Sequence, residues 1–202
     1  MRNAIRLITI ILLLAALVMI KAQAQTTGSI NASQGSALQS SQNTYSSNEL
    51  LDSGHRFFGS VSKGLAQVIE RAVSQWGVPN GYILGEEGGG AFFAGLRYGE
   101  GTLYTKNAGD LKVYWQGPSL GFDVGGEGAR TMMLVYNLPA TDAIYDRFGG
   151  IDGSAYFIGG FGMTALTANK VVLVPIRSGV GFRLGAAIGY LKFTPQSTWN
   201  PL

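Results

Sequence analysis

One histidine and no cysteine narrowly limit what this 202-residue chain can do to a covalent bond. Without cysteine there is no thiol nucleophile, no disulfide and no acylated lipoprotein terminus. His55 would have to serve any Ser-His-Asp arrangement, and a multi-histidine metal site is excluded. Its plainer role is that of a solvated or capping residue. Ser60-Val61-Ser62-Lys63 matches S-x-x-K, the serine–lysine pairing of penicillin-binding proteins, but no S-D-N or K-T-G follows it. Glu86-Glu87 and the set Asp123, Glu127, Asp146 and Asp152 offer carboxylates for glycoside hydrolysis. Acids beside glycine turns more commonly solvate loops or accept backbone N–H groups. Gly85 to Gly90 and Gly159-Gly160-Phe161-Gly162 lack the Gly-Lys-Ser/Thr ending of a phosphate loop and read as strand bends. No catalytic residue, metal or cofactor is expected.

Four arginines are the better candidates for a site. Arg97, Arg130, Arg177 and Arg183 sit in or beside apolar strands, where a guanidinium is costly unless paired. One expectation is that they pair inside the fold with Asp123, Glu86 or Asp152. The other is that one or two line an apolar pocket and receive a lipid phosphate or an anionic glycan group. Arg177, which ends a strongly apolar run at Ser178-Gly179, is the first choice.

The elements that must position these residues begin with an export signal. Arg2 and Arg6 precede the apolar run Leu7 to Ile20, which ends near Ala22-Gln23-Ala24. A positive start, a short apolar core and an A-x-A site predict a signal peptide over residues 1–24, cleaved after Ala24, and therefore export to the periplasm. The competing expectation is retention as an uncleaved anchor. The full chain carries 15 Lys+Arg against 12 Asp+Glu, and removing Arg2, Arg6 and Lys21 leaves 12 against 12. The basic balance belongs to the signal, so no electrostatic footprint for nucleic acid remains. Residues 25–48 are mostly Gln, Thr, Ser, Asn and Gly and predict a disordered polar linker.

Residues 49–202 then read as one domain, a helix plus a barrel. Phe57, Val61, Leu65, Val68, Ile69, Ala72, Val73 and Trp76 form one helical stripe, stopped by Gly77 and Pro79. That stripe is expected to pack on the rest of the fold; a membrane is its other conceivable partner. Twenty-five of the thirty glycines follow Trp76, spaced through aromatic and β-branched runs. Glycine within strand sequence marks bulges and close backbone approach. The expected strands are Tyr82–Glu86, Ala91–Tyr98, Thr102–Thr105, Lys112–Gln116, Ser119–Gly125, Arg130–Asn137, Ser154–Thr164, Val171–Arg177 and Val180–Phe193, with a short helix over Thr141–Phe148. In the last strand Phe182, Leu184, Ile188 and Tyr190 share a face opposite Gly181, Gly185, Ala187 and Gly189. The fold class is mainly β: a small antiparallel β-barrel of about eight strands, closed to remove its edges, preceded by one amphipathic α-helix.

Long stretches carry a likeness. Tyr82-Ile83-Leu84-Gly85-Glu86-Glu87-Gly88-Gly89-Gly90-Ala91-Phe92, Gly95-Leu96-Arg97-Tyr98-Gly99-Glu100-Gly101-Thr102-Leu103 and Gly117-Pro118-Ser119-Leu120-Gly121-Phe122-Asp123 resemble the bacterial envelope integrity protein EipA family. So do Leu134-Val135-Tyr136-Asn137-Leu138, Phe148-Gly149-Gly150-Ile151-Asp152-Gly153-Ser154-Ala155-Tyr156, Pro175-Ile176-Arg177-Ser178-Gly179-Val180-Gly181, Gly189-Tyr190-Leu191-Lys192-Phe193-Thr194-Pro195 and Thr198-Trp199-Asn200-Pro201. The likeness covers essentially everything after Asn48. It implies a small periplasmic β-barrel protein that supports cell-envelope integrity, without enzymatic activity and without catalytic residues to carry over. The family is also similar, more distantly, to the SYLF lipid-binding domain. The resulting expectation is a non-enzymatic barrel that binds a lipid, peptidoglycan or another envelope component, with peripheral membrane contact conceivable. An integral eight-stranded outer-membrane barrel is the alternative, and a cell-wall hydrolase comes third. Against the membrane barrel, Val171-Val172-Leu173-Val174 is apolar on both faces.

Overall fold

The chain does open this domain with a helix, but with two short ones instead of one long one. A computed structural model describes residues 43–59, 62–89, 96–118, 129–151, 154–178 and 189–198. Helix α1 spans Ser47–Phe58 and α2 spans Lys63–Trp76. Ser46 and Glu49 cap α1 reciprocally, each satisfying a backbone N–H of the other. Gly59, at φ +77°, closes it by giving its N–H to the His55 carbonyl. The stripe from Phe57 to Trp76 is therefore not one helix, because a left-handed residue interrupts it. Gly77 ends α2, its N–H bonded to the Val73 carbonyl at 2.8 Å. The last part of the polar linker is also structured: Tyr45 donates its N–H to Pro79 O and stacks edge-on against Tyr82.

Ten strand segments follow: β1 Gly81–Gly89, β2 Leu96–Thr105, β3 Gly109–Pro118, β4 Ala129–Tyr136, β5 Arg147–Gly150, β6 Tyr156–Ile158, β7 Phe161–Met163, β8 Leu166–Ala168, β9 Val171–Ser178 and β10 Tyr190–Thr194. Eight of them pair antiparallel in the ring β4-β1-β2-β3-β10-β5-β8-β9, and β9 returns to β4 to close it. Among the described residues, closure gives each of these eight strands a neighbour on both sides. β7 continues the β8 side of β9, and β6 flanks β7. Pro175 sits opposite the break between β7 and β8 and accepts the Thr164 N–H at 3.3 Å. Its missing donor therefore faces the interruption, where a proline is tolerated.

Several expected elements change. Gly99-Glu100-Gly101 does not interrupt a strand; β2 runs straight through it. The reason is packing: a Cβ on Gly99 would lie 2.3 Å from Cε2 of Trp115, so the glycine makes room for the indole inside the barrel. Thr141–Phe148 is only a 3-10 turn over Thr141–Ile144 before β5. Ser154–Thr164 is a hairpin folded at Gly159 and Gly160, both at positive φ. β8 was not expected; it turns into β9 at Asn169-Lys170, where two non-glycine residues take φ +46° and +73°. Ser119–Gly125, the Ala91–Gly95 portion of the second expected strand and the Val180–Ile188 portion of the last lie outside the described residues, as do Val61 and residues 1–42.

Alternation sorts the strand side chains into two cores. Ile83, Leu103, Val113, Trp115, Met133, Val135, Phe148, Leu173, Leu191 and Phe193 fill the barrel. Met132, Leu134, Tyr136, Val174 and Ile176 point outward to Leu50, Leu65, Val68, Ile69 and Ala72 of the helices. The two helices thus complete a core on one side of the wall. Gly64 and Gly159 meet backbone to backbone, which seats α2 on the β6–β7 turn.

Candidate functional site

Alternation that puts Ile83 inside the barrel also puts Glu87 there, four residues on along β1. The same rule turns Arg97 of β2, Trp115 of β3 and Arg177 of β9 inward. All four gather at the end of the barrel where β1, β3 and β9 finish and β2 begins. Arg177 grips Glu87 with two bonds, Nε to Oε2 at 2.7 Å and Nη2 to Oε1 at 2.9 Å. Trp115 Nε1 donates to Glu87 Oε1 at 2.8 Å. Arg97 Nη1 lies 4.0 Å from Glu87 Oε2, while its Nε donates to the Pro118 carbonyl at 2.9 Å.

Glu87 is 7 % exposed. Burial pushes its carboxyl up, but the Arg177 charge and hydrogen bonds, the Arg97 charge and the Trp115 N–H outweigh it and hold the group down to about 2. A carboxylate so held stays charged near neutral pH and has no proton to give, which removes it as a general acid. Beside the cluster, Arg97, Arg177, Thr164, Leu166, Pro175 and Leu191 line a cavity of about 20 Å³.

The expected partners of the arginines require correction. Arg177 pairs with Glu87 and not with Glu86, which is exposed on the other face of β1. The signal was available, since period two counted from Ile83 turns Glu87 inward and Glu86 outward. Arg97 and Arg177 come together. Arg130 does not join them: it is exposed, gives Nη1 to the Phe57 carbonyl at 2.9 Å and lies over the Phe57 ring at 5.9 Å. It fastens the end of α1 to β4. Arg183, Asp123, Glu127 and Asp152 lie outside the described residues. Trp115 and Thr164 were not expected at a site, because an indole or hydroxyl in a strand carries no local mark of its long-range neighbours.

The other described candidates make contacts that hold the fold. His55 sits in the last turn of α1, where Nε2 accepts the Ser62 N–H at 3.4 Å and bridges the two helices. Glu86 and Glu87 point to opposite faces and form no carboxylate pair. Asp146 accepts from Arg147 N and Asn169 Nδ2, both at 2.6 Å, so it braces two turns. Among the described residues no group of three or more His, Cys, Asp or Glu side chains is arranged to hold a metal. A second cluster sits at the opposite end of the barrel. Lys106 at the β2–β3 turn bonds Glu49 at 2.9 Å and lies over the Tyr45 ring. That bond, with the Ser46 N–H and hydroxyl, holds the Glu49 carboxyl down to about 2. Burial, reinforced by Tyr82, Asp110 and Glu49, raises the Tyr45 hydroxyl to about 12.

The fold has a solved counterpart. The crystal structure of a beta-barrel-like, uncharacterized protein from Brucella abortus superposes with a TM-score of 0.75 at 61% sequence identity, covering 79% of this chain and 99% of that one. No functionally curated protein matches the sequence. The family model of envelope integrity protein A, EipA, matches residues 43–202, from the start of the described domain to the last residue. With that match and the closed eight-stranded barrel, the chain belongs to the EipA envelope integrity family.

Proposed function

We propose that this protein is a non-enzymatic periplasmic barrel that supports envelope integrity by binding a lipid, peptidoglycan or another envelope component. The observation that carries the reading is the state of Glu87. The carboxylate inside the barrel is bidentate to Arg177 and bonded to Trp115. It serves as a counter-ion and is not poised for proton transfer. Apart from this cluster and the buried Thr131 and Thr164, the interior is packed with apolar side chains. A ligand is therefore met at the rim. The arginine side chains retain 16 % exposure at Arg97 and 12 % at Arg177, so an anionic group reaches them from outside. Arg97 is the contact residue in this reading and Arg177 orients Glu87. A lipid is the ligand that the distant SYLF likeness suggests.

The wall opposes the integral-membrane alternative. A lipid-embedded barrel is apolar outside and polar within. Here the interior is mostly apolar apart from the Glu87 cluster, while the outward positions of β2, β3, β5 and β10 include Glu100, Lys112, Arg147 and Lys192. The pattern is inverted.

Native mass spectrometry of protein released by osmotic shock tests the proposal. Wild type is expected to carry a lipid or glycan that Arg97→Ala loses while keeping its melting temperature within a few degrees. Protein that leaves the cell only in detergent, or an Arg97→Ala variant with undiminished ligand occupancy, overturns it.

A further inference from the structure

Thr164 lies between Met163 and Ala165, both of which face the helices. Alternation turns Thr164 the other way, into the barrel, at the break between β7 and β8. The residue is 5 % exposed, and its Oγ1 has no hydrogen-bond partner among the described residues. A buried hydroxyl left so destabilises a fold, and a bound water or ion is one way in which native proteins satisfy such an atom. It lines the 20 Å³ cavity together with Arg97 and Arg177. One water needs about 10–15 Å³ of such space and two to four polar partners. The wall supplies a hydroxyl that donates and accepts, and two guanidinium groups rich in N–H donors. Leu166, Pro175, Gly189, Tyr190 and Leu191 complete the lining.

We propose that this cavity is a built site for a single water molecule, which joins the Thr164 hydroxyl to the guanidinium groups beside Glu87. The water ties the β7–β8 break to the charge cluster across the barrel interior. The space suits one water, and Glu87 at 2.7 and 4.0 Å offsets part of the charge of the two arginines. The inference concerns the interior only and does not depend on which envelope component the rim binds.

Crystals of the whole protein, grown in bromide in place of chloride and diffracting well enough to place waters, decide the matter. The expected result is a fully occupied water within about 2.6–3.2 Å of Thr164 Oγ1, with no anomalous signal from bromide there. Thr164→Val is expected to lose the water, and Thr164→Ser to keep it. An empty cavity, a bromide peak in it, or a water unmoved in Thr164→Val overturns the proposal. If Thr164→Val does not fold, the wild-type and Thr164→Ser densities decide it alone.

Discussion

Arg177 and Glu87, ninety residues apart, close a bidentate pair inside the barrel from strands separated by β4. The Trp115 indole holds the same carboxylate from the far side. Removing one partner of a buried pair costs about 3–5 kcal/mol, because the other charge is left uncompensated. Glu87→Gln is therefore expected to lose stability of that order in urea unfolding. A loss under about 1 kcal/mol would mean that Arg177 finds another counter-charge.

The same pair sets an acid limit. The ordinary carboxyl value is 4.5 and the folded one about 2. A depressed value contributes stability that is complete above 4.5 and is lost as pH falls through 2. Melting temperatures measured from pH 6 down to pH 2 should fall in that window for wild type. Glu87→Gln should fall less steeply, keeping the part of the slope that belongs to Glu49.

Gly99 and Trp115 predict a second cost. An alanine Cβ at position 99 overlaps the indole, and overpacking of this kind costs about 1–3 kcal/mol. Gly99→Ala should also shift the tryptophan fluorescence and near-ultraviolet dichroism, since the ring must leave Glu87. An unchanged aromatic spectrum would show that the backbone yields instead.

Leu65 tests the helix side of the core. It is fully buried against Leu50 and Met132 in the cluster between helices and wall. Leu65→Ala should cost about 2–5 kcal/mol. Thermal unfolding with an unchanged midpoint would detach α2 from the core.

His55 is expected to be dispensable for function. It bridges α1 to Ser62. A His55→Ala protein should complement an envelope defect as wild type does. Failure by a folded variant would point to chemistry at this histidine.

Some of this was legible without any structure. The apolar stripe from Leu65 to Trp76 and the stop at Gly77 define α2, because helix periodicity and caps are local signals. Strand alternation through Ile83, Leu103, Val113 and Phe193, with glycines between, is enough to specify a curled antiparallel wall. The break between α1 and α2 was harder, since Phe57 and Leu65 fit a single stripe and only Gly59 and the Ser46–Glu49 box mark two helices. β8 was hidden because three residues show no period, and its turn uses Asn169 and Lys170 where glycine is the usual sign.

The amino-acid sequence by itself determined the class of fold, the absence of thiol chemistry and the family, all of which rest on residue types and short spacings. Tertiary structure alone decided that Gly99 is a spacer for Trp115, that Arg177 reaches Glu87 across β4, and that Arg130 fastens a helix instead of joining a site. The reason is physical. Which strands become neighbours when a barrel closes depends on the register of every pair around the ring, and a one-residue slip in any of them would exchange the inside for the outside.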